Sequence, residues 1–399
     1  MRSVFLITGA VAAIGASLAC SSSSDSDDGD PGDGTSSSGG IMLTTTGGQG
    51  LNGGSGGSSD GTTASTRTSG GGGDGSGTAN TAAGGASTDG DTGSGTRGDG
   101  GSPSFPEPPA CPSPTCRAGD TELSCCAREA VPGGSFAMGR SQSGGDACPD
   151  AQSCPSAETP EHDATVSGFS MDVFEVTVGR FRQFVEAFDD LEFAPGAGAH
   201  PSIANSGWRS AWNAELPDDS SAFEELLSCD ADASYTAEAG DNDTLPINCV
   251  TWFEAFAFCI YAGGRLATEA EWEYAAAGGD EERLYPWGDS EPSMSTARFY
   301  PQDLDAVGSA FEGASRWGQH DLAGNVWEWV LDWLDTGWYS GAGNPCSDCA
   351  NVGEGSYRAL RGGAYSFEAV TLRAATRSAD MPDVREPFIG VRCAYDREN

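Results

Sequence analysis

The clearest local signal of the sequence is the run Gly264-Arg265-Leu266-Ala267-Thr268-Glu269-Ala270-Glu271-Trp272-Glu273-Tyr274. Thr268 can cap a helix with its side-chain oxygen, and Glu271, three residues later, can accept a hydrogen bond from the backbone N–H of the cap. Gly278 and Gly279 follow, and glycine commonly ends a helix because it adopts the left-handed conformation without strain. The pattern predicts a helix that starts after Thr268 and stops at this glycine pair.

Two further helices are predicted upstream. Thr251 and Glu254 form a second capping box, and Gly263-Gly264 ends that helix. Thr177 can cap an earlier helix, whose apolar residues recur at spacings of three and four and so share one face. Those apolar residues are Val178, Phe181, Phe184, Val185 and Phe188. Long stretches rich in Gly, Trp and Asp separate these elements, and so much loop needs disulfides or a metal to be rigid.

Composition places the core of the protein in the C-terminal two-thirds of the chain. The first 130 residues contain two aromatic residues, Phe5 and Phe105, whereas all ten tryptophans lie between Trp208 and Trp338. We therefore expect one large domain over residues 131–399. The formal net charge of −39 argues against nucleic acid as a partner, and the lack of lysine excludes a lysine Schiff base or a P-loop lysine.

The N-terminus has the pattern of an export signal. A charged start precedes an apolar run from Val4 to Leu18, which is too short to span a bilayer comfortably. A small residue then precedes Cys20, as at bacterial lipoprotein cleavage sites, so we predict a signal peptide over residues 1–19 and lipidation of Cys20. The alternative is plain secretion, because Ser17 stands where such sites usually carry a large aliphatic residue. The anchor would hold the protein at a membrane of the cell envelope, and Ser21 favours the outer membrane, facing the periplasm or the cell surface.

Between the signal and the core lie two smaller segments. Residues 20–110 are predicted to be a disordered tether, because Gly, Ser, Thr and Asp dominate and cannot bury enough surface to offset chain entropy. Residues 111–130 contain four cysteines, which we interpret as a disulfide cap because export implies an oxidising compartment. A zinc site is the alternative, although the spacing lacks a repeated C-x-x-C. The four are Cys111, Cys116, Cys125 and Cys126.

Eight short motifs follow one another along the core. They are VPGGSFAMG (131–139), FSMDVFEVT (169–177), PINCVTW (246–252), GRLATEAEWEY (264–274), YPWG (285–288), GNVWEW (324–329), RGGAY (361–365) and IGVRC (389–393). In this order they resemble the formylglycine-generating enzyme, or sulfatase-modifying factor, family. The resemblance extends from residue 131 to the end of the sequence. It implies a loop-rich α+β fold related to C-type lectins.

The resemblance also implies an activity that the sequence does not support. The family enzyme oxidises a sulfatase cysteine to formylglycine with molecular oxygen, copper and two cysteines just after its Gly-Gly-Ser-Tyr segment, and Cu(I) needs such thiolates. The matching stretch, residues 362–373, contains no cysteine, and Ala364 replaces a serine beside the oxygen site. Trp327 is retained, but an indole cannot ligate copper. Three scattered histidines do not form the iron site of some relatives, so we expect neither copper nor iron. These are His162, His200 and His320.

The remaining cysteines are interpreted as disulfides. By resemblance, Cys259 is expected to pair with Cys393. Cys346 and Cys349 form a C-x-x-C, the spacing of dithiol redox motifs and of many metal sites. Because this pair lies in a loop without a following helix to lower a thiol pKa, we favour a local disulfide. Cys148 and Cys154 are interpreted in the same way.

A calcium site is implied at the GNVWEW motif. By resemblance its ligands would be the side chains of Asp321 and Glu328 and the backbone carbonyls of Gly324 and Val326, and calcium prefers such oxygen ligands. The alternative is a self-capped turn with solvated carboxylates. The second calcium site of the family is expected to be lost, because Arg298 occupies a ligand position.

Three functions remain open at this stage. The first is a binding or structural domain at the cell envelope, whose ligand would be a peptide, a glycan or a protein. The second is a metal-dependent oxidoreductase of the same fold with altered ligands. The third is formylglycine formation itself, which the missing thiols argue against.

Overall fold

The computed structural model describes residue 111, residues 115–140 and residues 156–397. All of them belong to one compact unit, Ser94–Asn399. The predicted signal peptide, Cys20, the tether over residues 20–110 and the pair Cys148 and Cys154 lie outside the described residues. Within the described ranges, no helix combines the length and apolar character needed to cross a membrane.

The fold is α+β and rich in loops, as predicted. Four helices are present in the described chain, namely α1 (Val178–Ala187), α2 (Ser220–Leu226), α3 (Trp252–Tyr261) and α4 (Glu269–Ala277). The strands are short. They are β1 (Thr115–Ala118), β2 (Thr121–Ser124), β3 (Arg128–Val131), β4 (Gly134–Met138), β5 (His162–Val166), β6 (Phe169–Asp172), β7 (Arg265–Leu266), β8 (Trp327–Trp333), β9 (Cys346–Ser347), β10 (Arg358–Arg361), β11 (Arg377–Asp380), β12 (Ile389–Val391) and β13 (Cys393–Asp396).

The strands form four small sheets. Two sheets have four strands each, in the orders β11-β10-β8-β12 and β3-β6-β13-β7. A three-stranded sheet has the order β4-β5-β9, and β1 pairs with β2 in a hairpin. Pairing is antiparallel except for β12 with β8 and β9 with β5. The last two strands therefore complete both of the larger sheets.

The predicted helix starts are confirmed. The side chain of Thr177 accepts a hydrogen bond from the backbone N–H of Arg180 at the start of α1. Capping boxes begin α3 at Thr251 and α4 at Thr268, each with its glutamate three residues on. The α4 helix ends at Gly278, whose φ of 70° is left-handed. Such a φ favours glycine, which explains the stop signal in the sequence.

The main core lies between α1, α3 and the larger sheets. Phe181 and Phe184 of α1 pack against Phe258 of α3 with ring centroids 5.2 and 5.7 Å apart. Trp329, at the centre of β8, is fully buried and donates its indole N–H to the carbonyl of Val250. Because β8 is covered on both faces, the motif that contains it is held rigidly.

The cysteine cluster ahead of the core is joined by two nested disulfides, Cys111–Cys126 and Cys116–Cys125. The predicted boundary at residue 131 falls inside β3, which begins at Arg128 and pairs with β6 of the core. The cap is therefore continuous with the core sheet through β3.

Candidate functional site

The motifs GNVWEW and RGGAY lie side by side. The backbone N–H of Gly324 donates to the carbonyl of Gly362 at 2.8 Å, and the N–H of Tyr365 donates to the carbonyl of Asn325 at 2.9 Å. Gly362 and Gly363 both have positive φ, and a Cβ at Gly363 would lie 2.7 Å from the Thr371 hydroxyl. The turn after β10 thus requires glycine and fixes the residues that follow it.

The residues after this turn present apolar and aromatic groups. Ala364 is fully buried. The Phe367 ring packs edge-to-face against Trp327, 5.8 Å between centroids, and against Phe388, 5.0 Å between centroids. This is the stretch in which the family enzyme carries its copper thiolates. Here Ala364 and Phe367 place apolar side chains in that stretch.

Every cysteine in the described chain is disulfide-bonded. The structure contains the bond Cys259–Cys393 that the resemblance implied, with a Cα–Cα distance of 5.4 Å. It also contains the local bond Cys346–Cys349, so neither sulfur is a thiol. A further bond, Cys229–Cys249, was not predicted, because distant cysteines give no pairing signal in a sequence.

The predicted calcium turn contains a buried group of carboxylates. Asp321 accepts a hydrogen bond from the backbone N–H of Gly308 at 2.5 Å. Glu328 accepts from Arg392, with Nη2 to Oε1 at 2.8 Å, and from the indole N–H of Trp272 at 2.6 Å. Both carboxylates are almost completely buried.

A third carboxylate, Glu175, joins this group and was not predicted. It accepts hydrogen bonds from the amide of Asn325 at 2.7 Å and from the backbone N–H of Val326 at 3.1 Å. Burial, followed by the charges of Asp321 and Glu328, raises the pKa of Glu175 well above its usual value. Glu175 lies in the FSMDVFEVT motif, but a single glutamate between a strand and a helix gives no sign of its distant partners.

The electrostatic balance of the cluster is negative. Burial raises the pKa of Asp321 to about 6, and the charge of Glu328 adds to the effect. Arg392 is the cation that pairs with Glu328, and it also donates to the carbonyls of Asp172 and His320. If Glu175, Asp321 and Glu328 were all ionised, their charges would exceed that of Arg392, which is one reason why the pKa values of Glu175 and Asp321 are raised.

Two findings bear on calcium at this turn. The donor chemistry fits, since calcium binds carboxylate and carbonyl oxygens and the cluster carries excess negative charge. The arrangement of the side chains does not fit. Within the described ranges, no three His, Cys, Asp or Glu side chains form a group that could hold a metal ion. In particular, the Glu328 carboxylate is committed to Arg392 and Trp272.

The other residues singled out in the sequence do not gather here. Arg298 forms an ion pair with Asp305 at 2.8 Å, so a guanidinium occupies the region of the second calcium site. The three histidines have separate surroundings. His162 stacks on Tyr339, the Nε2 of His200 lies 3.4 Å from Glu271, and His320 stacks on Phe174.

Comparison with known proteins assigns the family. The model of the sulfatase-modifying factor enzyme 1-like domain matches residues 118–397. The chain belongs to this family. The formylglycine-generating enzyme of Streptomyces coelicolor is 32% identical to this member over 293 residues, which are 67% of this chain and 88% of that enzyme. The Mus musculus formylglycine-generating enzyme is 28% identical over 318 residues, 71% of this chain and 78% of that enzyme.

A relative with a different name matches a shorter part of the chain. The hercynine oxygenase of Mycolicibacterium thermoresistibile is 39% identical over 163 residues, which are 38% of this chain and 36% of that protein. Among solved structures, PvdO from Pseudomonas aeruginosa superposes with a TM-score of 0.45 at 21% identity and covers 68% of this chain and 94% of that one.

Proposed function

We propose that this sulfatase-modifying factor domain is a non-catalytic binding domain displayed at the cell envelope. The observation that carries the proposal is the replacement of the copper thiolates by the packed stretch around Ala364 and Phe367. The described cysteines are all in disulfides, so none of them can substitute as a copper ligand. The ligand would be an envelope peptide, glycan or protein.

Export and lipidation belong to the same proposal. The apolar run that ends before Cys20 supports a signal peptide, and the disulfides of the domain suit an oxidising compartment. Calcium at residues 321–328 is proposed as a structural cation that would offset the excess negative charge of Glu175, Asp321 and Glu328. The ligands that the resemblance implies are Asp321, Glu328 and the carbonyls of Gly324 and Val326, and Glu328 would have to separate from Arg392 to bind the ion.

The decisive experiment combines metal binding with turnover. The full mature chain is loaded with copper and incubated with a sulfatase peptide that contains the substrate cysteine, under oxygen and a reductant. We expect no stoichiometric copper and no formylglycine by mass spectrometry. The S. coelicolor enzyme serves as the positive control. One equivalent of copper or iron with conversion of the peptide would overturn the proposal in favour of an oxidoreductase.

Anchoring is tested separately by detergent phase partition after expression in a bacterium. The wild-type chain should enter the detergent phase, and the matched variant Cys20→Ser should remain in the aqueous phase. Wild-type protein in the aqueous phase would indicate secretion instead.

A further inference from the structure

A cleft of about 800 Å³ lies apart from the glycine turn and the carboxylate cluster. It is bounded by β3, β6 and β13 and by the glycine residues that follow α3. It shares none of its lining residues with the stretch 362–373. Cavities of this size accommodate small-molecule ligands. The residues used below are Arg128, Ser170, Gly198, Arg265, Tyr395 and Arg397.

Arg128 is held in place without being neutralised. Its guanidinium lies 3.4 Å above the centre of the Tyr395 ring, and its Nη2 donates to the carbonyl of Ala262 at 2.9 Å. An aromatic face and a neutral carbonyl orient the group, but they leave its full positive charge and further N–H donors available. Arg128 is exposed to solvent at the cleft.

Arg397 supplies a second free guanidinium. It is exposed and lies over Gly168, where an added Cβ would come within 2.9 Å of Nη1. As far as the chain is described, neither Arg128 nor Arg397 forms an ion pair with a carboxylate. Twelve other arginines do pair with carboxylates. The other five described arginines form no such pair, and two of these five, Arg128 and Arg397, line this cleft.

The third arginine of the cleft, Arg265, is shared by two carboxylates, Glu271 at 2.7 Å and Asp396 at 2.9 Å. These three groups together carry one negative charge, and Arg128 and Arg397 add two positive charges. The net charge of the five groups is therefore +1, in a chain whose formal net charge is −39. A local positive site in an acidic protein selects anions that the rest of the surface repels.

We propose that this cleft binds the oxyanion of a small ligand, a carboxylate or a phosphate group, between Arg128 and Arg397. Guanidinium groups bind both kinds of oxyanion through paired N–H donors. The hydroxyl of Ser170 offers a further polar contact, and Gly198 lines the cleft at a position where a Cβ would lie 2.7 Å from Ile260. This proposal rests on the binding function proposed above. It adds the surface that binds and the chemical class of the ligand.

The test is calorimetric titration of the full mature chain at fixed ionic strength, with inorganic phosphate in one arm and glucuronate in the other. We expect saturable binding of at least one anion. Arg397→Gln should weaken it at least about tenfold, because a charge-assisted contact is lost from an exposed residue that does not support the fold. Arg128→Lys should weaken binding less, because lysine keeps the positive charge and loses only the paired N–H donors of the planar guanidinium.

The two arms of the titration also distinguish the ligand classes. Tighter binding of phosphate would identify a phosphate ester as the ligand, and tighter binding of glucuronate would identify a carboxylated sugar.

Arg316→Gln is the matched control, because Arg316 is also an exposed arginine stacked on an aromatic ring, that of Trp317, but lies outside the cleft. The affinity of the Arg316→Gln variant for either anion should equal that of the wild-type chain. No binding of either anion, or equal binding by Arg397→Gln and wild type, would overturn the assignment. Either result would leave the proposed non-catalytic function standing, since that function is tested by copper loading and peptide turnover.

Discussion

Arg392 and Glu328 form a buried ion pair in which Nη2 lies 2.8 Å from Oε1. Neither side chain is more than 1% exposed. Glu328 lies on β8, whereas Arg392 lies between β12 and β13, so the pair joins the two larger sheets. Arg392 also donates to the carbonyls of Asp172, Val173 and His320. One guanidinium therefore satisfies polar groups from three separate parts of the chain.

Removing one partner of this pair should be costly. Arg392→Met leaves the Glu328 carboxylate buried without its cation, and we expect the free energy of unfolding to fall by about 3–5 kcal/mol. Chemical denaturation measures the loss. The double variant Arg392→Met/Glu328→Gln should recover part of it, because the Glu328 carboxylate that had lost its cation is then neutral. A single-variant loss below about 1 kcal/mol would contradict the structural role of the pair.

The pH dependence of stability has a specific contributor in Glu271. Burial opposes ionisation of its carboxyl, but Arg265 and a hydrogen bond from His200 outweigh burial and lower the pKa of Glu271 to about 2. A lowered folded-state pKa stabilises the protein above the unfolded pKa of about 4.5 and loses that contribution as the pH falls toward 2. The contribution is about 3 kcal/mol.

Glu271→Gln should therefore be less stable than wild type at pH 7, and the difference should shrink between pH 4.5 and pH 2. Urea denaturation at a series of pH values measures both curves. Glu238→Gln, a change at an exposed glutamate, is the control and should follow the wild-type curve. Parallel curves for wild type and Glu271→Gln would show that the ion pair with Arg265 does not stabilise the ionised form.

The disulfides should differ in their contribution to stability. Cys259 and Cys393 are 134 residues apart in sequence, whereas Cys346 and Cys349 are three apart. Chain-entropy estimates give about 5 kcal/mol for the long loop and about 2 kcal/mol for the short one. Thermal unfolding of Cys259→Ala/Cys393→Ala and of Cys346→Ala/Cys349→Ala compares them. An equal loss in the two variants would mean that loop length does not set the effect.

Calcium should act through the carboxylates around Asp321. Chelation of the wild-type protein should lower its melting temperature, because the negative charge of the carboxylate cluster is then no longer offset by the cation. Glu175→Gln removes one of these charges, so its melting temperature should respond less to chelation and recalcification. Glu354→Gln, on an exposed loop, should respond as wild type does. Equal melting temperatures with and without calcium would exclude a structural calcium.

Local sequence signals predicted three of the four helices in the described chain and missed α2. Features that depend on contacts between distant residues were not predicted. The capping boxes at Thr251 and Thr268 depend on residues three apart, so the sequence contains the whole interaction. The partners of Glu175 lie about 150 residues away, and the cleft joins Arg128 to Arg397 across the chain. Such pairs meet only through the order of strands in a sheet, which local patterns do not specify.

The strand order also limits when the domain can form. The strand β13 lies between β6 and β7, and β12 completes the other large sheet beside β8. Both come from residues 389–396, so neither sheet can close until this segment has been synthesised. Long-range pairing of this kind is slow and leaves strand edges open in the meantime. The eight residues from 389 to 396 are therefore needed before either of the two large sheets is complete.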